Sequence, residues 1–113
     1  MQFNEIEESA IEILQESSGK YLLPYQVFKR IKQKDPLLAQ TIEYYYPELP
    51  ENPKRKEWPG VNYSPVTFVA HALDNFRRKY PEIKKQWLDA SDIEIEGVIP
   101  GNKVSTSIWS WLF

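Results

Sequence analysis

The stretch DIEIEGVIPGNKVSTSIWSWLF, residues 92–113, decides the fold class. Ile93, Ile95 and Ile99 alternate with Glu94, Glu96 and Val98, the period-two pattern of a half-buried strand. Pro100-Gly101-Asn102-Lys103 carries turn chemistry, and Val104, Thr106 and Ile108 resume the alternation. Together they predict one β-hairpin closing an otherwise helical chain. With Gly101-Asn102 as a two-residue turn, Ile99 faces Val104, Ile95 faces Ile108 and Glu94 faces Trp109. One face then gathers Ile93, Ile95, Ile99, Val104 and Ile108. Asp92, Glu94, Glu96, Val98, Trp109 and Trp111 share the other.

Upstream, apolar residues follow the helical period. Ile6, Ala10, Ile13 and Leu14 mark a first helix between Asn4 and Ser18, with Asn4 and Glu7 as a capping box and Gly19 as its stop. Glu5, Glu8, Glu12 and Glu16 form its outer face. A second helix opens at Pro24, with Val27, Phe28 and Ile31 inward and Lys29, Arg30, Lys32 and Lys34 outward. Asp35-Pro36 ends it and caps a third, whose stripe is Leu38, Ile42 and Tyr45. Two helices joined by so short a turn resemble a helix-turn-helix pair. The Pro-rich loop 47–62 breaks regular structure. Ser64-Pro65 starts a fourth helix with Val66, Phe68, Val69, Ala72, Leu73 and Phe76 along a broad apolar face. Tyr80-Pro81 ends or kinks it, and the spacing of Ile83, Trp87 and Leu88 predicts one more short helical turn before the hairpin.

The expected core is Ile13, Leu14, Val27, Phe28, Ile31, Leu38, Ile42, Phe68, Val69, Leu73, Phe76, Ile95 and Ile108. A chain of 113 residues with four Trp, seven Tyr and five Phe suits a single domain, 1–113, with one core. The fold class is therefore α+β: four to five short helices with a C-terminal two-stranded β-hairpin, a winged-helix-like arrangement. The absence of cysteine excludes disulfides, thiolate chemistry and Cys-based zinc sites. The acidic N-terminus lacks the apolar run of a secretion signal, and no apolar stretch is long enough to span a bilayer, so the expectation is a cytoplasmic protein without membrane contact.

Three segments resemble a family of small uncharacterised bacterial proteins. They are YLLPYQV (residues 21–27), YSPVTFVA (63–70) and IEIEG (93–97). The resemblance spans nearly the whole chain from Ile6 onward. It implies the winged-helix-like architecture and no catalytic residue.

The net charge of −2 hides blocks of opposite sign: an acidic first helix, basic stretches at 20–34 and 77–85, and Asp89, Asp92, Glu94 and Glu96. Two binding readings follow. Trp109 and Trp111 among carboxylates on one hairpin face, with Trp58 in the Pro-rich loop, point to an unknown protein partner or self-association. Alternatively, Lys29, Arg30, Lys54, Arg55, Arg77 and Arg78 neutralise phosphates of double-stranded DNA, provided the fold brings them to one surface. The bland counterparts are that a helix covers the tryptophans and that the cations merely solvate helix faces. Tyr44, Tyr45 and Tyr46 suit ordinary packing, one inward and two outward. His71, the single histidine, has no second histidine for a metal site. The spacing of Asp89, Asp92, Glu94 and Glu96 lacks the glycine turn of a calcium loop. No cofactor or catalytic motif emerges, so the expectation is a binding module and no enzyme.

Overall fold

The computed structural model describes residues 1–47, 64–89 and 105–112. It holds a 3₁₀ turn η1 (Phe3–Ile6), helices α1 (Glu7–Glu16), α2 (Pro24–Lys34), α3 (Pro36–Tyr45) and α4 (Pro65–Phe76), and strands β1 (Ile83–Asp89) and β2 (Ser105–Trp111). The fold is α+β, four helices with an antiparallel two-stranded sheet at the C-terminal end. Trp58, Lys54, Arg55 and residues 90–104 lie outside the described residues, as does most of the Pro-rich loop. Among the described residues, no helix is long and apolar enough to cross a membrane.

The helix starts follow local chemistry. Pro24, Pro36 and Pro65 each occupy the first helical turn, where a missing N–H costs nothing. Asp35 accepts the Leu38 N–H at 3.1 Å, and Ser64 Oγ accepts the Thr67 N–H at 3.2 Å. The first cap differs from expectation: Asn4 lies inside η1, and the Gln2 N–H donates to the Glu5 carboxylate. Past α1, Gly19 takes φ 85°. A side chain there costs about 1–2 kcal/mol. The turn aims the Gly19 N–H at the Trp111 carbonyl, 3.1 Å away.

The hairpin has a different first strand from the one expected. β2 pairs with residues 83–89, placing Lys85 opposite Trp109 and Gln86 opposite Ile108. This displaces the expected Glu94–Trp109 and Ile95–Ile108 pairs, and the helical turn expected around Ile83, Trp87 and Leu88 is strand. The physical reason is an ambiguity of period. Those three residues fit a helix, yet Ile83, Lys85 and Trp87 also fit one strand face. Pairing with Trp111, Trp109 and Ser107 gives the strand its tertiary support.

Among the described residues, an isolated bridge extends the sheet on the far side of β2. Leu22, between α1 and α2, bridges Trp109 through N–H···O bonds of 2.7 and 2.9 Å. The order across the sheet is Leu22, β2, β1.

The core forms where α1, α2 and α4 meet the buried end of this sheet. Ile13, Leu14, Val27, Phe28, Ile31, Ile42, Phe68, Val69, Leu73 and Phe76 are buried as expected. Ile6, Ala10, Ile11, Leu22, Ala39, Ala72 and Ile83 join them. Leu38 and Ile108 are only partly buried, and Tyr45 faces outward while Ala39 takes the inner face of α3. The largest correction concerns the tryptophans. Trp109 is 1% exposed and Trp111 5%, so both belong to the core and not to an outer face shared with carboxylates.

Deleting a buried indole removes both its transfer free energy and its packing. Trp109→Ala should therefore destabilise the domain by about 3–5 kcal/mol. Trp87→Ala, at an exposed position, should cost roughly 0.5 kcal/mol or less. Equilibrium urea unfolding of the two variants checks this contrast, and equal losses would contradict the burial described.

Candidate functional site

The β-period places Ile83, Lys85 and Trp87 on one sheet face with Trp111, Trp109 and Ser107 opposite them. Burial falls along the β1 side of that face, from Ile83 through Lys85 to Trp87. Ile83, Trp109 and Trp111 sit in the core, Lys85 at its margin, and Trp87 projects beyond it at 64% exposed. The outer side of α4 contributes Ala70, His71 and Asp74, leaving a shallow groove of about 130 Å³ between helix and strand.

Lys85 organises this groove. Its side chain is 17% exposed, and its Nζ lies 3.4 Å from Asp74 Oδ1. The same ammonium lies 4.5 Å from the centre of the Trp87 ring and 5.2 Å from that of Trp109. A cation between two indole faces is attracted by both ring quadrupoles, which braces Trp87 against the body of the domain. Asp74 also takes Arg77 Nη2 at 3.1 Å. Trp109 Nε1 donates to Ser107 Oγ at 3.0 Å, satisfying the buried indole N–H.

The backbone adds a second feature. Trp109 directs both its N–H and its C=O to Leu22, away from β1. In an antiparallel ladder, hydrogen-bonded and non-hydrogen-bonded pairs alternate, so the Lys85–Trp109 pair is of the second kind. The bond from the Leu112 N–H to the Glu82 carbonyl, 2.8 Å, has the same parity. Lys85 and Trp87 therefore turn their N–H and C=O groups to the outer edge of β1. Among the described residues, no strand pairs with that edge.

The other sequence candidates are dispersed. Lys29 lies 6.0 Å from the Tyr25 ring and shares a groove of about 370 Å³ with Phe28, Lys32, Glu43 and Pro65. Arg30 donates to Ser17 at the end of α1. Arg77 and Arg78 follow the far end of α4, whose length of roughly 18 Å separates them from Pro65 and Lys29. The basic blocks thus do not converge among the described residues.

Many of these cations already face carboxylates. Lys32 meets Glu43 at 3.3 Å, and Lys34 meets Glu12 at 3.0 Å together with Glu16. Hydrogen bonds that Lys34 donates to Glu16 and then to Glu12 hold its ammonium above its ordinary pKa.

Tyr46 turns inward, stacking on Phe68 with ring centres 4.5 Å apart and donating to the Met1 carbonyl at 3.1 Å. Tyr44 and Tyr45 face outward. His71 is exposed on α4, and no cluster of three His, Cys, Asp or Glu suits a metal ion among the described residues. Sequence reasoning missed Trp87 as a site residue, because its spacing from Ile83 and Leu88 read as a helical stripe. Alternation from Ile83 to Lys85 to Trp87 was the available signal.

Family models, curated proteins and solved structures were each compared with the chain, and none matches.

One ionic contact outside the groove pins the α4–β1 corner to the start of α1. Lys79 Nζ donates to Glu7 Oε2 at 2.9 Å and the Tyr80 hydroxyl donates to the same oxygen at 3.1 Å. The Lys79 hydrogen bond is the main reason the Glu7 carboxyl lies below its ordinary pKa of 4.5. Burial opposes that shift, while the Tyr80 hydroxyl and the Lys79 charge add to it. A depressed folded pKa contributes stability above the unfolded value that is lost as pH falls through the folded one. Glu7→Gln should therefore lower the thermal midpoint at neutral pH, with the gap to wild type closing below the ordinary carboxylate range. A gap unchanged in acid would exclude the Lys79 pairing as its source.

Proposed function

We propose that this chain is a cytoplasmic, non-catalytic binding module of winged-helix-like arrangement, with a protein partner bound around β1. The observation carrying this reading is Trp87: a large apolar side chain, mostly exposed, braced by Lys85 on a paired strand beside an outer edge. Trp is enriched at interface hot spots. Holding it in place before contact reduces the entropy lost on binding. Trp87 takes the role expected of Trp109 and Trp111, whose burial removes them from any contact surface.

Support for the winged-helix-like arrangement comes from element order. α1, the Leu22 bridge, α2, α4, β1 and β2 follow one another, with β2 between Leu22 and β1. In that arrangement α3 and the residues after it are an insertion, and α4 takes the position of the groove-reading helix. The segments that resemble the small bacterial family fit this view. Residues 21–27 hold the Leu22 bridge and the start of α2, and 64–70 hold the cap and first turns of α4.

The groove between α4 and β1 suits contact better than catalysis. At about 130 Å³ it is smaller than typical small-molecule sites, and Asp74 is already engaged by two cations. Double-stranded DNA is the second reading, favoured by the place of α4 in the order and by exposed His71, Asn75 and Arg78. Against it stand the net charge of −2 and the carboxylates beside Lys32, Lys34, Arg77, Lys79 and Lys85.

A photo-crosslinking amino acid in place of exposed His71, which lines the groove beside Trp87, should give a discrete protein adduct in cells, absent when the same group replaces exposed Gln33 on α2. Equal labelling from both positions would remove the support for this surface. Fluorescence anisotropy with labelled duplex, at low and then moderate salt, decides the second reading. Salt-sensitive binding weakened at least tenfold by Arg78→Ala would favour DNA over protein.

A further inference from the structure

The groove between α4 and β1 is lined for a cation, and a cation of the chain itself fills it. We propose that the protein partner presents an arginine whose guanidinium takes the place of the Lys85 ammonium between Trp87, Trp109 and Asp74. Lys85 is then an internal stand-in for the ligand. This inference rests on the protein-binding reading and names the chemistry that the partner carries.

The lining selects the class of ligand. Two indole rings, with centres 4.5 and 5.2 Å from Lys85 Nζ, each offer a negative face. Asp74 supplies formal negative charge, its Oδ1 lying 3.4 Å from the same nitrogen. Aromatic walls around one point are a recurrent receptor for organic cations. A carboxylate accepts about four hydrogen bonds, so Asp74 retains capacity beside its contacts to Lys85 and Arg77. The groove is shallow, and the exposed Trp87 ring forms its outer wall.

Three features make Lys85 replaceable. Its 3.4 Å contact to Asp74 is longer than the roughly 2.7–2.9 Å of a close charge-assisted hydrogen bond. Its ammonium ends a flexible aliphatic stem, and 17% of the side chain already meets solvent. Swinging outward returns a strongly hydrated ion to water, which offsets the contacts given up. The exchange also conserves charge, because one cation leaves the Asp74 carboxylate as another enters beside Arg77.

Arginine is the cation that gains most from this exchange. A guanidinium is more weakly hydrated than an ammonium, so entering the groove costs it less. It is also planar, and stacks on an indole face while its N–H groups fork onto the carboxylate. A lysine from the partner would only reproduce the contacts that Lys85 makes already. An acidic group would have to share Lys85 with Asp74, against the repulsion of like charges.

The test follows the indole N–H signals of the isotope-labelled full chain by NMR, with N-acetyl-arginine amide as the probe. Loss of one signal in W87F assigns Trp87. The probe should shift that signal saturably, whereas the lysine amide and the uncharged citrulline amide should act far more weakly. In K85T, a substitution that strands accept, the arginine affinity should rise by about fivefold or more because the competing ammonium is gone. A lysine that only braces Trp87 predicts the opposite sign, since its loss frees the indole and weakens binding. D74N should remove the preference for arginine over citrulline. K85A repeats the measurement if circular dichroism shows the threonine variant unfolded. An affinity unchanged or weakened without Lys85 overturns the proposal, and so does an equal response to arginine, lysine and citrulline. A chain that ignores the arginine probe yet gives a protein adduct from position 71 overturns the arginine site and leaves the protein-binding reading standing. Absence of both response and adduct overturns the two together.

Discussion

The structure turns on Trp109. Its backbone binds Leu22, its indole fills the junction of sheet and helices, and its ladder partner is Lys85. The bridge to Leu22 fixes the connection between α1 and α2 against the sheet. The same bridge sets the parity of β2, and through β2 that of β1. Parity then decides which residues of β1 aim their side chains towards α4 and which present their backbone outward. A single non-local pairing thus determines both the closure of the core and the chemistry of the exposed edge.

The charge blocks acquire meaning from this packing. The basic residues of α2 lie against the acidic face of α1 and against Glu43 of α3, while Lys79 reaches back to Glu7. Alternating blocks along the sequence become opposed faces in space. These contacts are largely solvent-exposed, where ion pairs contribute little stability. Their consequence here is instead that the cations most visible in the sequence are partly neutralised locally. A surface of this kind attracts phosphates less than the count of Lys and Arg suggests. Lys85 differs, since its ammonium is shielded between Trp87, Trp109 and Asp74 and acts as a brace for the exposed indole.

Much of the helical framework was legible because its signals are local. Pro24, Asp35-Pro36 and Ser64-Pro65 mark helix starts through groups within one turn of chain, and the stripes Val27–Phe28–Ile31 and Phe68–Val69–Leu73–Phe76 point inward as their period requires. The candidate site was not legible in the same way. Trp58, Lys54 and Arg55 fall outside the described residues, Trp109 and Trp111 are buried, and the basic residues stand at different ends of α4. Trp87 was hidden by an ambiguity: Ile83, Trp87 and Leu88 satisfy a helical spacing as well as Ile83, Lys85 and Trp87 satisfy a strand.

The amino-acid sequence alone determined the α+β class, the helix boundaries set by proline and capping residues, and a C-terminal strand ending in tryptophans. Each depends on interactions between residues a few positions apart. Tertiary structure decided which segment pairs with that strand, and hence whether an indole faces core or solvent. Strand pairing has no local energetic signature, because its hydrogen bonds join residues far apart in the chain, and a choice of partner or register reassigns every side chain to a face. Residues 83–89 prevailed by placing Ile83 beside Trp111 and Lys85 beside Trp109, contacts that exist only after the chain has closed upon itself.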